Sequence, residues 1–365
     1  MPIFHKRVTR RVLVGDVPIG GGAPVSVQTM GNVDPHDAKA VSAQIARCAS
    51  LGCDIFRLTV PDLEAAKVLG EVRRTSPVPL VADIHFDWRC ALAAIEAGTD
   101  ALRLNPGNIG PREHVREVAK AAKARRIPIR IGVNLGSLER DLDAAVRTGG
   151  MPVAEALTRS AIGHLKLLED EDFGDVVISV KASNVKTTLD AYRLLAAKTD
   201  CPLHVGVTEA GTFLPGTVRN SVALGLLLSE GIGDTIRVSL TAEPEREVRV
   251  GTEILRSLGL KPEGPSITSC PTCGRTKVGL FRVAQEVEDA MEALERERRA
   301  KGDARRLPHV AVMGCVVNGP GEAKGADVAL CGGSGEFVLF VKGVSMGKVS
   351  EADAARRVME HVVSL

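Results

Sequence analysis

Residues 79–85, PLVADIH, form an apolar run that ends in two polar side chains, Asp83 and His85. Seven further runs of this kind occur in the first 260 residues, and amphipathic helical stretches lie between them. Strands that read as nearly continuous apolar runs and alternate with helices form parallel sheets covered on both faces. The other runs are PVSVQTM (24–30), DIFRLTV (54–60), ALRLNPG (101–107), IPIRIGVN (127–134), DVVISVKAS (175–183), PLHVGVTEAG (202–211) and DTIRVSLT (234–241).

Eight such units predict an α/β fold, a (β/α)8 TIM barrel, over residues 1–260. An open, doubly wound sheet is the alternative. The segment RRVLVGDVPIGGG, residues 10–22, precedes the first unit and reads as a short hairpin that turns on Gly15-Asp16. We expect this hairpin to plug the lower end of the barrel.

The pattern changes at LKPEGPSITSCPTCGR, residues 260–275, where prolines and a glycine indicate a linker. A long charged helix is predicted over about 278–301, and a final helix is predicted from about 350. Three predicted strands lie between them: HVAVMGCVV (309–317), ADVALC (326–331) and EFVLFVKG (336–343). Residues 261–365 are therefore predicted to form a small α+β domain.

Composition excludes several classes of protein. The net charge of +2 and the 3% aromatic content argue against a nucleic-acid-binding surface, which is normally strongly basic. The first residues lack the apolar core of a signal peptide, and no apolar run approaches the roughly 20 residues of a membrane span. We therefore expect a cytoplasmic protein.

Cationic residues are concentrated at the ends of the predicted barrel strands, which is where barrel enzymes place their active sites. Arginine and lysine in such numbers favour an anionic ligand with several oxygens, and phosphoryl groups match the arginine fork. The chain has no GxxxxGK[ST] motif and no strand-linked GxGxxG, so a small phosphorylated metabolite is favoured over a nucleotide. The alternative is that the charges pair with one another and serve the barrel structure. The strand-end residues are Arg57, Arg103, Arg130, Lys181, Arg237, Asp83, His85, Asn105, Asn134, His204, Glu209 and Ser239.

Four of the eight cysteines are scattered over the first 201 residues and read as small buried hydrophobes. Cys270 and Cys273 form a C-x2-C pair, which suits a zinc knuckle, an iron–sulfur corner or a thiol redox pair. No second pair follows, as a zinc ribbon would require. Cys315 follows instead, in GCVVNGPGE (314–322).

Three thiolates and one weaker ligand describe a [4Fe–4S] cluster whose fourth iron is open to chemistry. Glu322, seven positions after Cys315, is a suitable fourth ligand, because a substrate oxygen can displace a carboxylate. Cys331 is the competing ligand, and it would close the cluster and restrict it to electron transfer.

Five motifs resemble those of the bacterial 4-hydroxy-3-methylbut-2-enyl diphosphate synthases, the reductive enzymes of the non-mevalonate (MEP) isoprenoid pathway. The resemblance covers residues 5 to 365, and one departure is RRAKGDARRLPH (298–309), which is longer than the usual connection. It implies a [4Fe–4S] cluster held by Cys270, Cys273, Cys315 and Glu322, with Cys331 a bystander. The motifs are SCPTCGR, MGCVVNGPGEAKGADVAL, LRLNPGNIG, VQTMGN and VTEAGT.

The resemblance also implies the substrate, 2-C-methyl-D-erythritol 2,4-cyclodiphosphate, and the partners. Glu209 would be the acid near the reacting carbons, and His85 or His204 would assist. Reduced flavodoxin or ferredoxin would supply electrons, and the protein would be a homodimer in which each barrel is closed by the partner's cluster domain. The diphosphate would be held by Arg57, Arg103, Arg130, Lys181 and Ser239, with Asn134 nearby.

Two other functions remain open on the residues alone. An aconitase-like hydro-lyase acting on a phosphorylated metabolite would share an open iron but need no electrons. A barrel with a structural zinc knuckle would bind such a metabolite without transforming it.

Overall fold

The computed structural model describes residues 5–262, 264–303, 305–315, 321 and 324–365. The chain divides into two compact units, Met1–Lys261 and Pro262–Leu365, and each has its own hydrophobic core. Within the described ranges, no helix combines the length and the apolar character needed to cross a membrane.

The first unit begins with an antiparallel hairpin, β1 (Arg11–Val14) and β2 (Val17–Gly20). Gly15 makes the turn in the left-handed conformation, with φ of 59°. Apolar side chains of this hairpin pack against the first residues of the following barrel strands, among them Ile55 and Val177. The hairpin therefore plugs the lower end of the barrel, as the sequence predicts.

Eight parallel strands follow and lie in the order β8-β7-β6-β5-β4-β3-β10-β9. A parallel bridge between Ile178 and Leu203 joins the two edges, so the sheet closes. The predicted (β/α)8 barrel is confirmed, and the open sheet is wrong. The strands are β3 (Ser26–Met30), β4 (Ile55–Thr59), β5 (Leu80–Asp83), β6 (Ala101–Leu104), β7 (Ile129–Asn134), β8 (Val176–Lys181), β9 (His204–Val205) and β10 (Thr235–Ile236).

Helices cover the outside of the barrel and often start on a side-chain cap. Asp37, Asp62, Asp87 and Asn184 each accept a backbone N–H of the first helical turn, which satisfies a donor that the helix leaves unpaired. The helices are α1 (Ala38–Ser50), α2 (Leu63–Arg73), α3 (Trp88–Glu96), α4 (Arg112–Ala124), α5 (Arg140–Arg147), α6 (Val153–Glu169), α7 (Val185–Ala196), α8 (Phe213–Ser229) and α9 (Pro244–Ser257).

Helix α5 was not predicted from the sequence. It lies between β7 and α6, and none of its residues is buried. The helix is short, and its apolar face contributes little to the core. Hydrophobic periodicity read over a longer stretch of sequence therefore did not predict it.

The barrel interior changes character from bottom to top. Ile55, Val81, Ala101 and Val177 form the lower apolar layer against the hairpin. Side chains alternate along a strand, so residues two positions further on point to the same side. These residues include Arg57, Asp83 and Arg103, and the upper layer is therefore charged.

The second unit is a five-stranded mixed sheet covered by helices α10 (Leu280–Ala300) and α11 (Ala354–Ser364). The first three strands are parallel and the last two antiparallel. Two strands, the first and the last, were not predicted; the first is three residues long and the last is mostly exposed. The strands are β11 (Ile267–Ser269), β12 (Val310–Met313), β13 (Val328–Gly332), β14 (Phe337–Val341) and β15 (Val344–Val349).

Candidate active site

The carboxyl ends of the barrel strands bring together the five predicted cations. Arg57 and Arg103 both lie against Asp83, with Nε–Oδ2 and Nη1–Oδ1 distances of 3.7 and 3.2 Å. Burial by itself raises the pKa of the Asp83 carboxyl, but the surrounding cations, led by Arg57 and Arg103, outweigh it and lower the pKa. Asp83 therefore stays ionised, accepts a hydrogen bond from Arg103 and forms a longer ion pair with Arg57.

Arg103 is held by its backbone surroundings as well. It donates from Nη2 to the carbonyl of Gly132 at 2.7 Å. A Cβ at position 132 would lie 2.4 Å from Arg103 Nε, so only glycine leaves room for this side chain. Gly132 in β7 thus leaves space for the Arg103 guanidinium to lie across the strand.

Among the described residues, Arg130 and Lys181 are the strand-end cations that form no ion pair with a carboxylate. Arg130 is 5% exposed, and its polar contact is with Gln28 Oε1 at 3.5 Å. Lys181 Nζ lies 3.4 Å from His204 Nε2. Across the described residues, no Asp or Glu forms an ion pair with either side chain. Burying an unpaired charge is costly, and an anionic ligand would remove that cost.

The pKa values of these side chains reflect their burial first and the neighbouring positive charges second. Burial, followed by repulsion from neighbouring cations, lowers the pKa of Arg130 and of Lys181 well below their ordinary values. Burial and the adjacent Lys181 lower the pKa of His204 in the same direction. Burial lowers the pKa of Arg57 to about 10, although Asp83 opposes the shift. The upper layer is electrostatically prepared for an anion.

Glu247 was not predicted, although it is the partner of Arg237. Its two carboxylate oxygens accept from Arg237 Nη2 and Nε at 3.2 and 3.1 Å, and Oε2 also accepts from Thr29 Oγ1 at 2.8 Å. The signal in the sequence is a carboxylate on the apolar face of α9, between the buried Pro244 and Gly251. Acidic side chains are rarely buried unless they are paired, so an acid in such a position indicates a cationic partner.

The remaining predicted residues lie at the same strand ends but outside this cationic cluster. The Asn134 side chain caps the short 3-10 turn of residues 135–137. The carbonyl of Ser239 accepts from the Asn220 side chain at 3.4 Å. His85 and Glu209 are exposed, and Glu209 adopts a left-handed conformation with φ of 50° in the loop after β9.

The cysteine motifs meet at the carboxyl ends of two parallel strands in the second unit. Cys270 follows β11 and Cys315 follows β12 by two residues, and Gly314 donates its N–H to Cys270 Sγ at 3.3 Å. Arg275 donates to Cys273 Sγ at 3.4 Å and lies near Cys315. That hydrogen bond lowers the pKa of the Cys273 thiol, which favours the thiolate form that binds metals.

The three thiols Cys270, Cys273 and Cys315 suit a [4Fe–4S] cluster chemically. Cys270, Cys273 and Cys315 have accessible side chains, whereas the other five cysteines are buried. Burial raises the pKa of Cys331 to about 11, so this thiol is a poor candidate for a metal ligand. In the part of the chain that the structure describes, no three His, Cys, Asp or Glu side chains are grouped so that they could hold a metal ion. Glu322, the predicted fourth ligand, lies outside the described residues.

Two family models match the chain over nearly its whole length. The GcpE TIM-barrel domain matches residues 9–252, and the GcpE protein C-terminal domain matches residues 266–364. The chain belongs to the GcpE family. This finding confirms the resemblance drawn from the CPTC and GCVVNGPGE motifs.

Curated GcpE relatives are similar over almost the full chain. The 4-hydroxy-3-methylbut-2-en-1-yl diphosphate synthase (flavodoxin) of Geobacter sulfurreducens is 53% identical over 357 residues, which is 98% of each chain. The enzyme of the same name from Clostridium acetobutylicum is 50% identical, over 97% of this chain and 98% of its own. Among solved structures, dihydropteroate synthase from Xanthomonas albilineans has a TM-score of 0.49 at 16% identity, over 69% of this chain and 99% of that chain.

Proposed function

We propose that this GcpE protein reduces 2-C-methyl-D-erythritol 2,4-cyclodiphosphate to 4-hydroxy-3-methylbut-2-enyl diphosphate. The reaction consumes two electrons and two protons, opens the cyclic diphosphate and releases one water. The observation that carries the proposal is the excess of buried positive charge at the barrel mouth, where Arg130 and Lys181 form no ion pair with any carboxylate that the structure describes. A diphosphate supplies the missing negative charge, and the names of the curated relatives support this reaction.

The barrel residues would bind and orient the diphosphate. Arg57 and Arg103, both ion-paired with Asp83, would present their guanidinium groups to phosphoryl oxygens in bidentate fashion. Arg130 and Lys181 would neutralise the charge that develops on the leaving diphosphate. Ser239 and Asn134 would add hydrogen bonds, and His85 and His204 would border the ligand. Residues 1–260 are thus assigned to substrate binding.

Residues 261–365 are assigned to the cofactor, with Cys270, Cys273, Cys315 and Glu322 as ligands. When bound, a [4Fe–4S] cluster supplies single electrons and a Lewis-acidic iron. The accessible thiols and the Arg275 hydrogen bond to Cys273 support this assignment. Reduced flavodoxin is the electron donor suggested by the names of the relatives, and ferredoxin is a second candidate.

Anaerobic purification followed by assay tests the proposal. We expect a brown protein with about four irons and four sulfides per chain. It should convert the cyclic diphosphate when reduced flavodoxin or a low-potential dye is present. Turnover without reductant would instead favour a hydro-lyase, and a colourless zinc protein would favour a metabolite-binding barrel.

Glu209→Gln tests the proposed proton donor. Glutamine has the same shape and the same backbone constraints at this left-handed position, so the loop should be retained. We expect kcat to fall about 100- to 1,000-fold, because general acid catalysis contributes that much, while KM changes little. Steady-state kinetics on cluster-loaded protein measures both constants.

The matched control is Glu230→Gln, which removes a surface carboxylate paired with Arg193 at 2.6 Å. Its kinetic constants should remain near those of the parent protein. Full activity of Glu209→Gln with an intact cluster would eliminate Glu209 as the proton donor.

We also propose that the protein is a homodimer whose active site is shared between the two chains. The resemblance supports this arrangement, because in such enzymes the partner's cluster domain closes each barrel. Mixing an Arg57→Met variant with a Cys273→Ser variant, each inactive alone, should restore about a quarter of the activity if half of the dimers are mixed and each has one intact site. Restoration would fail if each chain formed its own complete site, and sedimentation would then show whether a dimer exists.

A further inference from the structure

Glu247 is a buried carboxylate of α9 whose two oxygens are both fully occupied by donors. Oε1 accepts from Arg237 Nη2 at 3.2 Å and from the backbone N–H of Leu240 at 3.0 Å. Oε2 accepts from Arg237 Nε at 3.1 Å and from Thr29 Oγ1 at 2.8 Å. An ionised carboxylate has about four acceptor sites, and all of them are used here. Glu247 is therefore suited to hold other groups in place and not to exchange a proton with a ligand.

Two of these contacts fix the carboxylate itself. Thr29 lies in β3 and is completely buried, and Leu240 belongs to the loop between β10 and α9. Because one donor comes from a strand and the other from the main chain of a loop, the Glu247 side chain is anchored to two elements besides its own helix. An anchored carboxylate loses little further freedom when it binds an arginine, so it holds the guanidinium group in one orientation.

The other two contacts hold Arg237 by two of its three guanidinium nitrogens. Glu247 accepts from Nε and Nη2, which is the bidentate geometry that gives an arginine–carboxylate pair a fixed direction. Among the described residues, the only hydrogen-bond acceptor near Nη1 is the thioether of Met30, a weak acceptor, at 3.8 Å. Arg237 directly follows β10, at the strand ends where the other cations lie. Its Nη1 group is thus available to a ligand at the barrel mouth.

We infer that Glu247 is the positioning residue of Arg237, and that it holds the guanidinium group so that Nη1 donates to a phosphoryl oxygen of the bound diphosphate. The inference rests on the proposed function, because it concerns the ligand of the same site. Within the pair the two charges cancel. Arg237 therefore contributes to binding by the direction of its N–H groups and not by excess charge.

Charge and direction predict opposite results for Glu247→Gln. Glutamine removes one negative charge beside several cations, so a purely electrostatic role predicts tighter binding of the anion. A positioning role predicts weaker binding, because the amide has one acceptor oxygen and its NH2 group cannot accept from the donors that face it. Arg237 then loses its fixed orientation. We expect the Kd of the cyclic diphosphate to rise about 10- to 100-fold, the effect of one hydrogen bond to a charged group.

Isothermal titration calorimetry on cluster-loaded protein without reductant measures this Kd, and a double-mutant cycle assigns the effect to Arg237. The four proteins are the parent, Glu247→Gln, Arg237→Met and the double variant. If Glu247 acts through Arg237, the double variant should bind within about twofold of Arg237→Met alone. The matched control is Glu245→Gln, which removes a carboxylate of the same helix that pairs with Arg47 of α1 at 2.6 Å. Its Kd should equal that of the parent protein.

Thermal unfolding verifies that each variant is folded. Should Glu247→Gln fail to fold, because it leaves Arg237 without its partner, Thr29→Val takes its place in the cycle. Valine is nearly isosteric with threonine and keeps the Glu247 charge, so only the 2.8 Å hydrogen bond to Oε2 is lost. We expect the Kd of Thr29→Val to rise about 2- to 10-fold, the net effect of one hydrogen bond.

Three results would overturn the inference while leaving the proposed function intact. One is an unchanged or lower Kd in folded Glu247→Gln. The second is a double variant whose loss of affinity is the product of the two single losses. The third, where Glu247→Gln does not fold, is an unchanged Kd in folded Thr29→Val. If the parent protein does not bind the cyclic diphosphate at all, the proposed function fails, and this inference fails with it.

Discussion

Cys273→Ser is expected to abolish the iron–sulfur absorption near 400 nm and to lower activity at least about 1,000-fold. Serine oxygen is a harder and more basic ligand than a thiolate, so it does not hold an iron–sulfur cluster well. Cys273 is exposed and contributes no packing, so the fold of the second unit should be unchanged. Absorption spectra with iron and sulfide counts, steady-state kinetics and thermal unfolding of the purified variant measure the three effects.

Cys331→Ala is the matched control in the same unit. Cys331 is 3% exposed in β13 and packs with Met313 and Ala329, so its loss should cost about 1 kcal/mol of stability. The cluster and the activity should be retained. The opposite outcome, a colourless Cys331→Ala and a brown Cys273→Ser, would make Cys331 a ligand and Cys273 the bystander.

Arg130→Met is expected to impair substrate binding and, at the same time, to stabilise the free protein. Burial lowers the pKa of Arg130, and the adjacent Arg57 and Arg103 lower it further. Among the described residues it forms no ion pair with a carboxylate. Methionine fills a similar volume without charge, so unfolding should cost about 1–3 kcal/mol more. The catalytic efficiency kcat/KM should fall about 100- to 1,000-fold, because a buried charge contact to the diphosphate is lost. Thermal unfolding without ligand and steady-state kinetics measure the two effects.

Arg159→Met is the control for charge removal alone. Arg159 is exposed on α6 and forms an ion pair with Glu155 one turn away, an interaction worth at most about 1 kcal/mol. Neither its kinetics nor its unfolding temperature should change much. A loss of stability in Arg130→Met would show instead that this arginine stabilises the barrel. That result would favour the alternative in which the strand-end charges serve the barrel structure.

The stability gain expected for Arg130→Met has a functional meaning. A site that gathers Arg57, Arg103, Arg130, Lys181 and Arg237 around two carboxylates carries excess positive charge in a region of low dielectric. The cost of this arrangement is offset only when an anion binds. Binding sites are commonly less stable than the scaffold allows, because they are prepared for a charge that the ligand brings.

The barrel could be predicted from the sequence because its strands are buried on both faces. Runs such as IPIRIGVN must then be almost continuously apolar, and they differ clearly from the helices between them. Helix α5 and the strands β11 and β15 escaped prediction for other reasons. Helix α5 has eight residues and β11 has three, so both are too short for a periodicity read over a longer window. Strand β15 is exposed at all but its last residue, so it shows no alternation of buried and exposed positions.

In the candidate site, too, some residues could be predicted from the sequence and others could not. The strand-end rule identified Arg57, Arg103 and Lys181, because the inward positions of parallel strands follow from alternation alone. It did not identify Glu247, which reaches Arg237 from a helix that follows β10. Nor did it reveal that Asp83 serves two arginines at once, since that depends on strand register.

By itself, the sequence predicted the fold class, the cationic character of the barrel mouth and the three candidate ligand thiols, because periodicity and motif spacing are local properties of the chain. Only the tertiary structure decided which charges are paired. Asp83 and Glu247 neutralise some of the cations, while Arg130 and Lys181 stay without a carboxylate among the described residues. Ion pairing depends on distances of a few ångströms between residues far apart in sequence, and chain closure into a barrel sets those distances.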